Sequence, residues 1–147
     1  MRKFLKTCAE IEKTIAEIYR CFAEKVFCDE ELKEIWRTMA QEEDQHALEI
    51  GFASRLPQEG MFKLQKDQAT VDQLLDTARQ ILWKAKSTDL SRDAAVNYTL
   101  QLEQKFLEVH IASAVEFEQE SMRKMFQSIV QSEEVHCQAI KDYRARH

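Results

Sequence analysis

Apolar residues recur at alternating three- and four-residue spacings in four long stretches of the chain. In one stretch, Leu32, Trp36, Met39 and Ile50 fall on the same face of a helix. A seam of this kind is typical of helices that pack together in a bundle. The pattern therefore predicts four long helices, at about 3–27, 30–55, 92–117 and 121–144.

The connection between the second and third of these helices has a weaker pattern of its own. Apolar residues at helical spacing favour a further amphipathic helix over about 70–87, packed outside the bundle. Thr70 followed by Gln73 indicates a capping box at its start. Pro57 and Gly60 indicate a break before it. We therefore expect an all-α fold, a four-helix bundle with a long crossover that carries an extra helix.

Glycine and proline are scarce, which narrows the fold class further. The chain has 2 Gly and 1 Pro, where average composition would supply about 10 and about 7. Sandwiches, barrels and Rossmann-type domains need many tight turns, so this composition argues against them. A length of 147 residues fits one domain, 1–147, with a sizeable core.

Charge and cysteine content limit the partners and the compartment. A net charge of −5 disfavours nucleic acid, and no apolar run approaches the length of a membrane span. None of the four cysteines forms a CxxC pair. Cys8 and Cys21 would lie about 20 Å apart on one predicted helix, too far for a disulfide. We therefore expect a cytoplasmic protein with reduced thiols.

Six acidic or imidazole side chains interrupt the apolar seams in a repeated order. Glu12 precedes Glu43 by 31 residues, and Glu103 precedes Glu133 by 30. Each later Glu opens a Glu-x-x-His motif, whose two side chains share one helix face. The two halves of the chain are therefore interpreted as two αα-hairpins related by a pseudo-twofold axis. The six residues are Glu12, Glu43, His46, Glu103, Glu133 and His136.

Frequency and position both argue that this repeat is not accidental. With 18 Glu and 4 His in 147 residues, chance gives about 0.5 Glu-x-x-His matches. Counted from the predicted turns, the six side chains all lie at mid-bundle height. Four carboxylates in an apolar core are costly unless cations neutralise them, and two divalent ions would do so. Mixed carboxylate and imidazole ligands suit iron or manganese, with zinc possible.

Other polar residues on or near the seams have simpler interpretations. Tyr19 is either a core aromatic or a residue that contacts a metal ligand. His110 lies about 10 Å along the axis from the seam Glu of its own helix, too far to share that metal directly. We expect it to be a hydrogen-bonded core histidine or a partner of a ligand. Cys137 is expected to be a small buried thiol, and Glu17 and Glu108 are expected to be solvated.

The order of these residues resembles the di-iron domain of the rubrerythrin family, within the ferritin-like superfamily, over nearly the whole chain. The resemblance is carried by Glu12 with Tyr19, Glu43-Asp44-Gln45-His46, Glu103, and Glu133-Glu134-Val135-His136. It implies a four-helix bundle with a long crossover, two non-haem iron ions, chemistry with hydrogen peroxide or dioxygen, and a homodimer. Matched by position, it implies that the metal ligands are Glu12, Glu43, His46, Glu103, Glu133 and His136, with Tyr19 near the irons.

Two departures from the family pattern bear on activity. The family commonly has a further Glu three residues after the first ligand of the third bundle helix, where this chain has Phe106. The sequence also contains no CxxC pairs for a rubredoxin-like module, so we expect dependence on an external electron donor. Three functions stay open: a di-iron oxidoreductase, an iron-handling, ferroxidase-type or sensor protein with little turnover, and a structural bundle with a vestigial site.

Overall fold

Five α-helices follow one another along the chain in the computed structural model, which describes residues 1–57 and 64–147. The described residues contain no β-strand. The predicted all-α bundle with a helical crossover is confirmed. None of the described helices is long and apolar enough to cross a membrane. The helices are α1 (Arg2–Ala23), α2 (Glu30–Ala53), α3 (Leu64–Ser87), α4 (Arg92–Glu116) and α5 (Glu120–Arg146).

Two helical hairpins make up the bundle, since α1 packs against α2 and α4 packs against α5. Asp29 caps α2, with Oδ1 accepting a 2.8 Å hydrogen bond from the Leu32 amide. Its other oxygen, Oδ2, accepts a 2.6 Å bond from the Tyr143 hydroxyl near the end of α5. One side chain therefore caps α2 and ties the two hairpins together at that end of the bundle.

The first helix is shorter than the periodicity predicts. The apolar spacing continues to Val26, but α1 ends at Ala23, and the following residues turn toward the Asp29 cap. Val26 is fully exposed as a result. The prediction that α1 reaches residue 27 is therefore wrong, because the chain must reverse direction before α2 begins.

The crossover helix is longer than predicted and packs against α1 and α4. It begins at Leu64, so Thr70 lies inside the helix and the capping box predicted at its start is wrong. Its apolar stripe is buried as expected, and Gly60 falls outside the described residues. The buried stripe consists of Val71, Leu74, Ala78, Ile81 and Ala85.

Large aromatic residues fill the core on the side of the α1–α2 turn. Trp36 is fully buried, 5.2 Å from the ring of Phe22. Its indole Nε1–H donates a 3.1 Å hydrogen bond to Oγ1 of Thr99 on α4. Truncation of a buried aromatic of this size typically costs about 3–5 kcal/mol. This packing fixes the positions of α1, α2 and α4, which carry four of the six polar residues described next.

Candidate metal centre

Four carboxylates from four different helices meet in the middle of the bundle. Glu12 of α1, Glu43 of α2, Glu103 of α4 and Glu133 of α5 are exposed by 0, 1, 2 and 1%. His46 and His136 lie one helical turn after Glu43 and Glu133 and are also buried. The structure thus brings together all six residues that the sequence singles out.

The six residues form two groups that share one carboxylate. Ligand atoms of Glu12, Glu43, His46 and Glu133 lie within 4.8 Å of one another, and so do those of the second group. That second group consists of Glu43, Glu103 and His136. Glu43 therefore belongs to both groups and would be available as a ligand to each of two adjacent ions.

The two oxygens of Glu43 face different histidines. Oε2 lies 3.5 Å from Nδ1 of His46, and Oε1 lies 3.0 Å from Nδ1 of His136. The same imidazole atoms approach Oε2 of Glu12 at 3.8 Å and Oε1 of Glu103 at 3.6 Å. Each histidine therefore presents Nδ1 to a pair of carboxylates, as a metal-binding imidazole does.

The cluster also leaves polar atoms without hydrogen bonds. Among the described residues, the buried side-chain nitrogens and oxygens that lack a hydrogen-bond partner all belong to this centre. Buried polar groups are normally satisfied, and each orphaned one costs about 1–3 kcal/mol. Divalent cations would satisfy all of them except the two ring nitrogens of His110, so the residues of the two groups fit a pair of metal ions. The orphaned atoms lie in Glu12, Glu43, His46, His110, Glu133 and His136.

Without cations the carboxyl groups cannot all ionise. Burial raises the pKa of Glu12 and Glu133 well above the ordinary value, and neighbouring carboxylates add to the effect. Burial and the Glu43 charge raise the pKa of Glu103 to about 7. Against burial, Glu12 and His136 hold the pKa of Glu43 below its ordinary value. The metal-free centre therefore retains protons that bound cations would displace.

Tyr19 contacts one of the candidate ligands, which is one of the two roles that the sequence leaves open. Its hydroxyl donates a 2.6 Å hydrogen bond to Oε1 of Glu103. Burial and the nearby Glu103 raise the pKa of Tyr19 well above its ordinary value, so the phenol stays protonated at neutral pH. Tyr19 therefore orients Glu103 by donating a hydrogen bond to it.

His110 lies closer to the cluster than its distance from Glu103 along α4 suggests. Its Nδ1 is 2.7 Å from Oε1 of Glu133, and its Nε2 is 3.7 Å from Oε1 of Glu12. The ring packs between Phe106 and Phe126, at centroid distances of 4.1 and 5.4 Å. Burial lowers the pKa of His110 well below its ordinary value and keeps the ring neutral. Of the two roles left open, contact with a candidate ligand is the one that the structure shows.

Glu42 is the residue at this centre that the sequence reasoning missed. Its Oε2 contacts Nε2 of His136 and accepts a 3.2 Å hydrogen bond from Oγ of Ser132. Glu42 lies beside the α2 seam, and its side chain is 45% exposed. The sequence feature that could have identified Glu42 is its position directly before Glu43. This position lies at an edge of α2 that the antiparallel α5 can reach.

The remaining singled-out residues lie where the sequence places them. Glu17 is half exposed and pairs with Lys86, and Glu108 is exposed. Cys137 is buried, and burial together with Glu103 raises its pKa to about 11. Its thiol is therefore protonated at neutral pH and a weak nucleophile.

Comparison with known proteins gives a single type of match. A protein-family model described as Rubrerythrin matches residues 3–143, almost the entire chain. Neither the curated proteins nor the solved structures gave a significant match. The matched range contains all six residues of the buried centre.

Proposed function

The chain belongs to the rubrerythrin family, and on that premise we propose that its buried centre holds two iron ions and reduces hydrogen peroxide or dioxygen. The observation that carries the proposal is the pair of ligand groups that share Glu43. Two divalent ions balance the four carboxylates and leave the imidazoles neutral. In the metal-free chain, protons held by the carboxyl groups neutralise part of that negative charge.

Membership of the rubrerythrin family favours iron among the divalent metals that this ligand chemistry admits. Carboxylate oxygens and imidazole nitrogens suit iron or manganese, and zinc binds the same donors. Neither candidate group contains a thiolate. Six side chains spread over two ions leave coordination positions open, and an oxidant needs such a position to reach the metal. Metal analysis of the native protein decides among the three ions.

The side chains of the chain prepare the centre in distinct ways. Glu43 directs Oε2 toward His46 and Oε1 toward His136. The Tyr19 hydroxyl holds Oε1 of Glu103 by a hydrogen bond. Burial of all four carboxylates keeps bulk water away. Two bound ferrous ions would supply two electrons, which with two protons reduce hydrogen peroxide to water. An external donor returns those electrons in the proposed cycle.

Metal content is the first test of the proposal. Apo protein reconstituted with Fe(II) under anaerobic conditions should contain close to two irons per chain. The diferrous protein should then oxidise rapidly on mixing with hydrogen peroxide in a stopped-flow spectrometer. Metal content near zero after reconstitution would overturn the di-iron proposal.

Turnover is the second test, and it separates an enzyme from an iron-handling protein. With a chemical or protein reductant present, the iron-loaded protein should consume peroxide continuously. A single oxidation followed by no further consumption would instead identify a protein that oxidises and holds iron. A diferrous protein that stays reduced in both oxidants would reject the oxidoreductase function.

A further inference from the structure

The two halves of the chain place different residues directly before their paired ligands. Glu42 precedes Glu43 in the first hairpin, and Ser132 precedes Glu133 in the second. These equivalent positions meet across the bundle, where Oγ of Ser132 donates a 3.2 Å hydrogen bond to Oε2 of Glu42. The pseudo-twofold symmetry of the ligands is therefore broken by their neighbours.

The broken symmetry gives His136 a partner outside the cluster. Its Nε2 contacts the carboxylate of Glu42, while Nδ1 faces Glu43 and Glu103. A carboxylate acceptor at Nε2 keeps the ring proton on that atom and directs the lone pair of Nδ1 inward. It also increases the basicity of the imidazole toward a metal.

His46 does not have this support. Its Nδ1 faces Glu12 and Glu43, and among the described residues no other carboxylate lies within 4.0 Å of its ring nitrogens. The position equivalent to Glu42 is Ser132, whose hydroxyl donates to Glu42 instead. The two histidines therefore offer a metal different donor strength and different degrees of orientation.

A second hydrogen bond from outside the cluster reaches the same ligand group. Tyr19 donates to Oε1 of Glu103, which belongs with Glu43 and His136. Two of the three ligands in that group are thus oriented before any metal arrives. Such support typically changes metal affinity by about 10- to 100-fold.

We propose that Glu42 is a positioning residue that makes the Glu43–Glu103–His136 site bind metal first and more tightly than the Glu12–Glu43–His46–Glu133 site. The proposal rests on the proposed di-metal function. Both sites consist of carboxylate and imidazole ligands. Ligand type alone therefore does not make the Glu43–Glu103–His136 site the tighter one. The Ser132 hydroxyl has a lesser part, because it holds the Glu42 carboxylate against α5.

Cobalt titration of the apo protein tests this assignment without using activity. Co(II) added anaerobically should bind in two resolved steps, each followed by its visible absorption and by calorimetry. Glu42→Gln keeps an oxygen acceptor but removes the charge, and it should weaken the tighter step by about 10-fold or more. Glu42→Ala should weaken it further, and Ser132→Ala less. The weaker step should change little in all three variants.

Glu134→Gln is the matched control, because Glu134 is an exposed neighbour of the α5 ligand and faces away from the centre. It should titrate like the unmodified protein.

Equal affinities in the unmodified protein, or a Glu42→Gln variant that titrates like Glu134→Gln, would overturn the positioning role while leaving the di-metal function intact. An unmodified protein that binds no cobalt and no iron would overturn the di-metal function itself. Circular dichroism and apo melting temperatures check that the variants fold, and Ser132→Ala provides an independent variant.

Discussion

Tyr19 and Glu103 lie 84 residues apart in the chain, yet the phenol donates a 2.6 Å hydrogen bond to the carboxylate in the middle of the bundle. Both side chains are buried, by 100 and 98% of their accessible surface. The bond joins α1 of the first hairpin to α4 of the second. It therefore links the packing of the hairpins to the orientation of a candidate ligand.

Removal of the Tyr19 hydroxyl should reduce stability while metal binding persists. Tyr19→Phe leaves Glu103 without its donor, and loss of a hydrogen bond to a charged group costs about 1.5–3 kcal/mol. Urea unfolding of the metal-loaded protein should show this decrease, with close to two metals still bound. Tyr98→Phe is the control, since among the described residues its hydroxyl makes only an exposed 3.3 Å contact with Lys84, and should change stability by less than about 0.5 kcal/mol. Equal losses in the two variants would contradict the role given to Tyr19.

Loss of one cluster carboxylate should reduce the stabilisation that metal provides. Glu133→Gln keeps the shape of the side chain but removes a charge that the cations require, so bound metal should fall below two per chain. The apo variant should be as stable as the unmodified apo protein or more so, because burial already raises the pKa of Glu133. Melting temperatures without and with Fe(II) give the stability of the apo variant and the stabilisation that metal provides.

Glu17→Gln is the control for that experiment, because Glu17 lies on the exposed surface of α1 and pairs with Lys86. Its metal content and melting temperature should match those of the unmodified protein, with a change in the free energy of unfolding of less than about 0.5 kcal/mol. If Glu17→Gln lost metal as fully as Glu133→Gln, the assignment of the buried faces would be wrong.

The bundle and its polar layer follow from the sequence because both depend on helical periodicity. In α2, the predicted seam residues, including Glu43 and His46, are all buried. The ends of helices are less determined by this signal. Residues 64–69 contain no glycine or proline, so α3 continues N-terminally past Thr70 in spite of the capping pattern.

Contacts between helices account for what the sequence could not supply. The distance of about 10 Å between His110 and Glu103 is the rise along their own helix. Glu133, whose Oε1 lies 2.7 Å from His110 Nδ1, belongs to the antiparallel α5. Glu42 lies off the seam, and its part at the centre depends on where α5 places His136 and Ser132. Neither relationship can be read from spacing within one helix.

The Asp29 cap should contribute to stability independently of metal. Asp29→Ala removes the acceptor for the Leu32 amide and for the Tyr143 hydroxyl. Loss of an N-cap typically costs about 0.5–2 kcal/mol, which chemical denaturation of the apo protein should detect. Asp76→Ala, an exposed position within α3, should change stability by less than about 0.5 kcal/mol.

The Asp29 contribution should also depend on pH in a defined direction. The Tyr143 hydroxyl and the Leu32 amide lower the pKa of Asp29 below its ordinary value of 3.8. Its stabilisation is therefore complete above that value and is lost as pH falls through the lowered pKa. The stability difference between the unmodified protein and Asp29→Ala should shrink only in acid. A difference that shrinks between pH 5 and pH 8 would contradict this assignment.

The metal-free centre should show the opposite pH dependence at Glu12, Glu103 and Glu133, because these three carboxyl groups hold protons more tightly when folded. Burial and Glu43 raise the pKa of Glu103 from 4.5 to about 7. A raised carboxyl pKa contributes stability that is complete below the unfolded value and is lost as pH rises through the folded one. His110 opposes this trend, since its lowered pKa favours the folded state above the unfolded value. A direct comparison with Glu103→Gln isolates the Glu103 contribution.

Glu103→Gln should therefore gain stability over the unmodified apo protein as pH rises. The gain should be near zero at about pH 4 and reach roughly 3 kcal/mol above about pH 7, since each pKa unit corresponds to about 1.4 kcal/mol. Gln keeps an oxygen to accept the Tyr19 hydrogen bond, so the change reports the charge and not the loss of that contact. Urea denaturation at a series of pH values with a metal chelator present measures it. A stability difference that stays constant across that range would show that Glu103 ionises in the apo bundle without penalty, and the charge argument for bound cations would lose its support at that residue.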